Sequence, residues 1–179
     1  SEECIKQLRN VLQELSSDYA SDTTNGMIKN ILENDSAALG LIINERFVNI
    51  PADISVPLLE NLVADMKRAV NKKMPYDFQY YVMIAKLYKP KLLTDKQNKK
   101  NKKNGLEEPV TIWSNQEEEI FAEEAMCSFE FSVAKESDTG LSGTWAADDA
   151  EMIPHRRVMI FEANKLPLII GKIKKALAN

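Results

Sequence analysis

Residues 78–88, FQYYVMIAKLY, restrict the fold of this chain more than any other stretch. Side chains alternate along a strand, so Tyr80, Val82 and Ile84 fall on one face and Tyr81, Met83 and Leu87 on the other. Both sets are apolar, and aromatic and β-branched types dominate them. Such a strand is buried on both faces, so the remaining chain must supply cover above and below it.

That cover is legible as helices. Cys4, Leu8, Val11, Leu12 and Leu15 recur at three- and four-residue spacing and predict a first helix. Met27, Ile28, Ile31 and Leu32 predict a second, with the hydroxyl of Thr23 or Thr24 as its cap. The short apolar run over residues 39–43 suits a central strand. Ser55 is placed to cap, and Pro57 to open, a third helix striped with Leu59, Leu62, Val63, Met66 and Val70. Residues 114–117, SNQE, have the capping-box pattern and predict a short acidic helix ending near Ala125. Cys127, Phe129, Phe131 and Val133 then alternate with Ser128, Glu130 and Ser132 as a half-exposed strand. Residues 140–154 read as a long irregular connection and residues 157–161 as one more strand. Asn164 caps a last helix carrying Leu166, Ile169, Ile170, Ile173 and Leu177. The order α, α, β, α, β, α, β, β, α predicts an α/β (α+β) fold, a mixed sheet with helices on its faces.

The 179 residues suit a single domain over 1–179, and 44% hydrophobic with 28% charged residues is an ordinary globular balance. No apolar run approaches the roughly 20 residues of a membrane-spanning helix. The first residues lack the basic and apolar regions of a secretory signal. Two cysteines fit a reducing compartment. A net charge of −4 argues against nonspecific nucleic-acid binding by the whole chain. Residues 91–108 depart from this balance: Lys96, Lys99, Lys100, Lys102 and Lys103 stand among Asn and Gln, and the composition predicts a mobile or disordered loop. The cluster reads as a nuclear-import signal, a contact for nucleic-acid phosphates, or a solvated loop.

Catalytic sets are hard to assemble. His155 is the one histidine, so a Cys127, His155, Asp148 triad can be written, yet Cys127 lies on the apolar face of its strand, where a thiol is a small hydrophobe. Neither phosphate-binding glycine pattern occurs, and the six glycines are dispersed. Asp148, Asp149 and Glu151 lack EF-hand spacing and read as a solvated turn. The expectation is no catalytic centre, no cofactor and no metal. For protein binding the candidates are Glu117, Glu118, Glu119, Glu123 and Glu124, which could receive a basic partner or simply face solvent, and Trp145, which like Trp113 lies beside a loop.

Three stretches are more specific than any of these: residues 40–51, GLIINERFVNIP; residues 136–139, ESDT; and residues 143–145, GTW. With the lysine-rich insertion before an acidic EEE-[IF]-F helix, and in this order, they resemble the BCCIP family. Thr144 stands where the family often has lysine. The resemblance implies a largely antiparallel sheet similar to the GNAT acetyltransferase fold, without the coenzyme-gripping [QR]xxGx[GA] loop. It implies a non-enzymatic adaptor or chaperone of the nucleus that shuttles to the cytoplasm, escorts a large-subunit ribosomal protein, assists nuclear export, and contacts a homologous-recombination protein and a cyclin-dependent-kinase inhibitor. Alternatives are an acyl transferase with an atypical coenzyme loop, or nucleic-acid binding through the lysines. Family chains usually begin with an acidic tail and a further folded segment, so an N-terminal portion is expected outside this sequence.

Overall fold

A computed structural model describes residues 2–34, 38–91, 111–134 and 152–178. Its elements are α1 (Glu2–Tyr19), α2 (Asp22–Glu33), β1 (Leu39–Ile42), α3 (Ser55–Asn71), β2 (Tyr80–Pro90), β3 (Ile112–Trp113), α4 (Glu118–Glu124), β4 (Cys127–Ser132), β5 (Met152–Glu162) and α5 (Leu166–Leu177). The sheet order is β1-β2-β5-β4, with β3 also on β2. β2 pairs antiparallel with β5 along its whole length, from Tyr80↔Glu162 to Pro90↔Met152. Its other edge is shared: β1 runs parallel to Tyr80–Met83, and β3 runs antiparallel opposite Leu87 and Tyr88. β4 pairs antiparallel with β5, so the sheet is mixed and largely antiparallel.

β2 is covered on both faces, as its alternation requires. Tyr81, Met83 and Ala85, with Met159 and Phe161 of β5, pack under α3, α4 and α5 through Leu59, Phe121, Ile169 and Ile173. Val82, Cys127, Phe129, Val158 and Ile160 pack against α1 and α2 through Leu12, Ile28, Ile31 and Leu32. The result is three layers, helix on sheet on helix. Phe161 is central to the first cluster, its ring 5.6 Å from Tyr81 and 5.5 Å from Phe121.

Several local readings change. Ser21, not Thr23 or Thr24, caps α2: its hydroxyl accepts from Thr24 N–H at 3.2 Å. Ser55 lies inside α3 and Asn164 inside a 3-10 turn (Ala163–Lys165), and neither α3 nor α5 has a side-chain cap. β5 begins at Met152 rather than at residue 157. Its polar residues His155, Arg156 and Arg157 hide a strand that follows from pairing with all of β2. β3 was not foreseen, because two residues carry no period.

Gly40 is required where β1 passes the Phe78 and Tyr81 rings. A Cβ there would lie 3.0 Å from both side chains. α3 ends with Lys73 at φ 59°, where Lys73 N–H bonds Val70 O at 2.8 Å and Met74 N–H bonds Ala69 O at 3.0 Å, the paired bonds of a Schellman ending.

Core and surface aromatics should separate cleanly in urea unfolding. Phe161→Ala should lower stability by about 3–5 kcal/mol through the cavity it leaves. Phe47→Ala, at a side chain 82% exposed, should change stability by less than about 0.5 kcal/mol.

Candidate functional site

α4 is short because its apolar content is one turn deep. Phe121 is fully buried, and residues three and four positions before it share its face. Those residues are Glu118 and Glu117, which the helix therefore turns inward, 1% and 3% exposed. The expectation that these two face solvent or a client is corrected: they are buried structural groups. The capping box is absent as well, for Glu117 precedes the helix without a side-chain cap.

The partners of these carboxylates come from the loop after β1. Asn44 Nδ2 donates to Glu117 Oε1 and to Glu118 Oε1, each at 3.0 Å. The Arg46 guanidinium pairs with Glu117 Oε1. Asn115 Nδ2 donates to Glu118 Oε1 at 3.1 Å and to the Asn44 carbonyl at 3.1 Å. Lys86 of β2 pairs with Glu45 at 2.6 Å. The second carboxylate oxygens of Glu117 and Glu118 have no hydrogen-bond partner within the structure. This network sits beside the place where β1 ends and β3 begins along the shared edge of β2. It ties a loop carrying exposed Ile43, Phe47 and Val48 to the first turn of α4.

Burial pushes the Glu118 carboxyl up to about 7, against the donated bonds from Asn44 and Asn115, with Glu117 and Glu45 adding repulsion. Glu124 is instead held below the usual carboxylate range by Lys172 and Lys165 of the α5 region. Its Oε2 lies 3.7 Å from Lys165, and its Oε1 pairs with Lys172. Glu123 Oε2 lies 3.5 Å from Lys172 with its side chain 60% exposed. Glu119 is exposed. The five glutamates thus divide into two buried, one half-buried and ion-paired, and two outward. In the sequence Asn44 and Arg46 stand out only as part of the 40–51 stretch and Asn115 only as part of the 114–117 pattern, none of them as a partner of the glutamates. The available signal was the i−3 and i−4 relation of the first two glutamates to Phe121.

A second polar cluster faces the same side of the sheet. Arg157 donates to Glu130 Oε1 at 3.0 Å and to Ser128 Oγ at 3.1 Å, and its guanidinium carbon lies 5.9 Å from the centre of the Trp113 ring. Lys89 also pairs with Glu130. Trp113 is half-buried against the core.

Cys127 and His155 are not brought together. Cys127 is opposite Ile160, in the α1 and α2 layer, and burial pushes its thiol up to about 11. His155 is opposite Ser132, an odd number of residues further along β5, and so projects from the other face. Its Nδ1 lies 2.9 Å from the Ile153 carbonyl. Among the described residues no group of three metal-ligating side chains forms, and no helix is long and apolar enough to cross a membrane. Trp145, the lysines at 96, 99, 100, 102 and 103, Asp148, Asp149 and Glu151 lie outside the described residues, as do the ESDT and GTW stretches.

A family model described as BCCIP matches residues 1–121, which include the loop after β1 and the whole carboxylate network. The chain belongs to the BCCIP family. A BCCIP homologue of Drosophila melanogaster is 39% identical over 171 residues, 96% of this chain and 54% of that protein. The BRCA2 and CDKN1A-interacting protein of Homo sapiens is 29% identical over 177 residues, 98% of this chain and 55% of that one. The crystal structure of BCP1 from Saccharomyces cerevisiae superposes with a TM-score of 0.56 at 15% identity, covering 94% of this chain and 57% of that chain, and it shares the fold. The chain spans about half the length of these BCCIP relatives.

The buried carboxyl gives a pH dependence of definite sign. Glu118 holds its proton to about 7 when folded and to its ordinary 4.5 when unfolded. Its contribution is therefore most favourable below about pH 4.5 and declines as pH rises through 7, by at most on the order of 3 kcal/mol. Glu118→Gln should flatten that decline and raise the urea midpoint at pH 8 relative to the parent, whereas at pH 5 the two should be close.

Proposed function

We propose that this chain is a non-enzymatic protein-binding adaptor and chaperone of the nucleus, shuttling to the cytoplasm. Its clients would be a basic large-subunit ribosomal protein, whose escort links it to ribosome biogenesis and nuclear export, and the recombination-repair and cell-cycle partners of its relatives. Membership of the BCCIP family carries this reading, together with relatives of Bos taurus, Mus musculus and Homo sapiens that are named for interacting with BRCA2 and CDKN1A. The separation of Cys127 from His155 and the burial of the thiol are consistent with it.

The geometry narrows the client surface that the sequence offered. Glu117 and Glu118 are engaged inside and Glu124 holds α5, so the exposed carboxylates of α4 that a basic client can reach are Glu119 and Glu123, the latter in exchange for its surface pairing with Lys172. Charges on such an exposed surface act mainly on encounter rate and salt dependence. Charge reversal at Glu119 and Glu123 tests the surface, whereas reversal at Glu118 would disrupt the network and confuse binding with folding.

Capture from nuclear extract followed by mass spectrometry should enrich a basic ribosomal protein with the parent chain. The Glu119→Lys, Glu123→Lys double variant should lose roughly three- to tenfold of that affinity and much of its salt dependence. Equal capture by both forms moves the client site away from α4, and enrichment of no ribosomal or repair protein refutes the adaptor reading.

A further inference from the structure

Glu117 forms part of the wall of a cleft. The hollow lies between β3, α4 and the last turn of α5, measures about 490 Å³, and is walled by Ile112, Trp113, Glu117, Glu119, Ile120 and Leu177 among others. Its two carboxylates differ in setting: the Glu117 side chain is 1% exposed, whereas Glu119 is open to solvent. Among the described residues no lysine or arginine lines the cleft.

Only one oxygen of Glu117 is used by the fold. Its Oε1 accepts from Asn44 at 3.0 Å and pairs with Arg46, while Oε2 is buried without a hydrogen-bond partner. Native structures leave few buried acceptors in that state, because the lost hydration is not repaid. The last turn of α5 adds the negative end of a 12-residue helix, whose final carbonyls lack donors within the helix. A cation is therefore the group that the cleft lacks. The rest of the wall is largely apolar and suits the methylene stem that carries a basic head. Of the two basic side chains arginine fits better: its guanidinium is more weakly hydrated than an ammonium, stacks on aromatic rings, and has five N–H donors to share between two carboxylates. Trp113 already has one guanidinium over its ring, that of Arg157 at 5.9 Å, and the charge of Arg157 is met by Glu130 at 3.0 Å.

We propose that the cleft between β3, α4 and α5 receives a single arginine side chain of a protein client, the guanidinium donating to Glu117 Oε2 and to Glu119 and the methylenes lying against Trp113, Ile120 and Leu177. That the arginine belongs to a client rests on the adaptor reading; the chemistry of the cleft does not. The site also separates the two outward glutamates of α4. Glu119 is part of its wall, whereas Glu123 is not and lies 3.5 Å from Lys172.

The test is titration of the 179-residue chain with an acetylated, amidated peptide that holds one arginine between two leucines, beside its lysine and citrulline counterparts. Binding is read by NMR at the Trp113 indole N–H and at the amides of residues 112–120 and 173–177. The arginine peptide should shift these signals at one saturable site, with the citrulline peptide weaker by roughly tenfold or more and the lysine peptide weaker by about threefold. Glu117→Gln keeps an oxygen for Asn44 and Arg46 but places an amide donor where Oε2 stands, and should weaken the arginine peptide by roughly tenfold. Glu123→Gln should leave it unchanged. Should Glu117→Gln unfold by circular dichroism, Glu119→Lys, at an exposed position, serves in its place and should abolish the shifts. The proposal is overturned if the arginine peptide shifts nothing, if lysine or citrulline binds as tightly, or if the shifts persist in these variants. Arginine-dependent shifts without capture of a client strike the adaptor reading and uphold the cleft; capture without such shifts strikes the cleft alone.

Discussion

The apolar character of both faces of β2 is the constraint from which the architecture follows. One face requires α3, α4 and α5, the other requires α1 and α2, and neither group of helices forms a core without the strand between them. The edges are equally committed. β5 occupies one edge along all eleven residues, and β1 and β3 divide the other. Because β1 and β3 meet the same edge at different heights, the loop leaving β1 and the turn entering α4 are brought together. The network of Asn44, Arg46, Asn115, Glu117 and Glu118 fills that junction.

Two buried carboxylates beside one arginine are an expensive way to join a loop to a helix, because each charge loses its hydration. Glu118 meets part of that cost by retaining its proton up to about pH 7, where it is half protonated. The arrangement does fix direction. Asn44 and Arg46 turn inward to the glutamates, so Ile43, Phe47 and Val48 turn outward. A loop held by polar groups can keep apolar side chains in water without collapsing onto the core.

The sequence discloses those parts of the fold that repeat with a period. The double alternation of residues 80–87, the single alternation of 127–133 and the stripe of Leu166, Ile169, Ile170 and Ile173 all mark real elements. Features set by partners far along the chain are not disclosed. The start of β5 is polar in sequence and becomes a strand because β2 is beside it. Glu117 and Glu118 look like surface charge because Asn44 and Arg46 lie more than seventy residues away. The family, by contrast, is legible in residues 40–51, where Asn44 and Arg46 reach the buried glutamates while Ile43, Phe47 and Val48 stay exposed.

The long ladder between β2 and β5 has a consequence for how the molecule is made. Its partners are residues 80–90 and 152–162, and contacts of such sequence separation slow folding well beyond what local hairpins require. On a ribosome adding about 5–20 residues per second, β2 emerges roughly 3–15 seconds before β5 can pair with it. Throughout that interval a strand apolar on both faces has one edge vacant. The central ladder of the sheet therefore closes only after residues 152–162 have emerged, and both cores wait on that late strand.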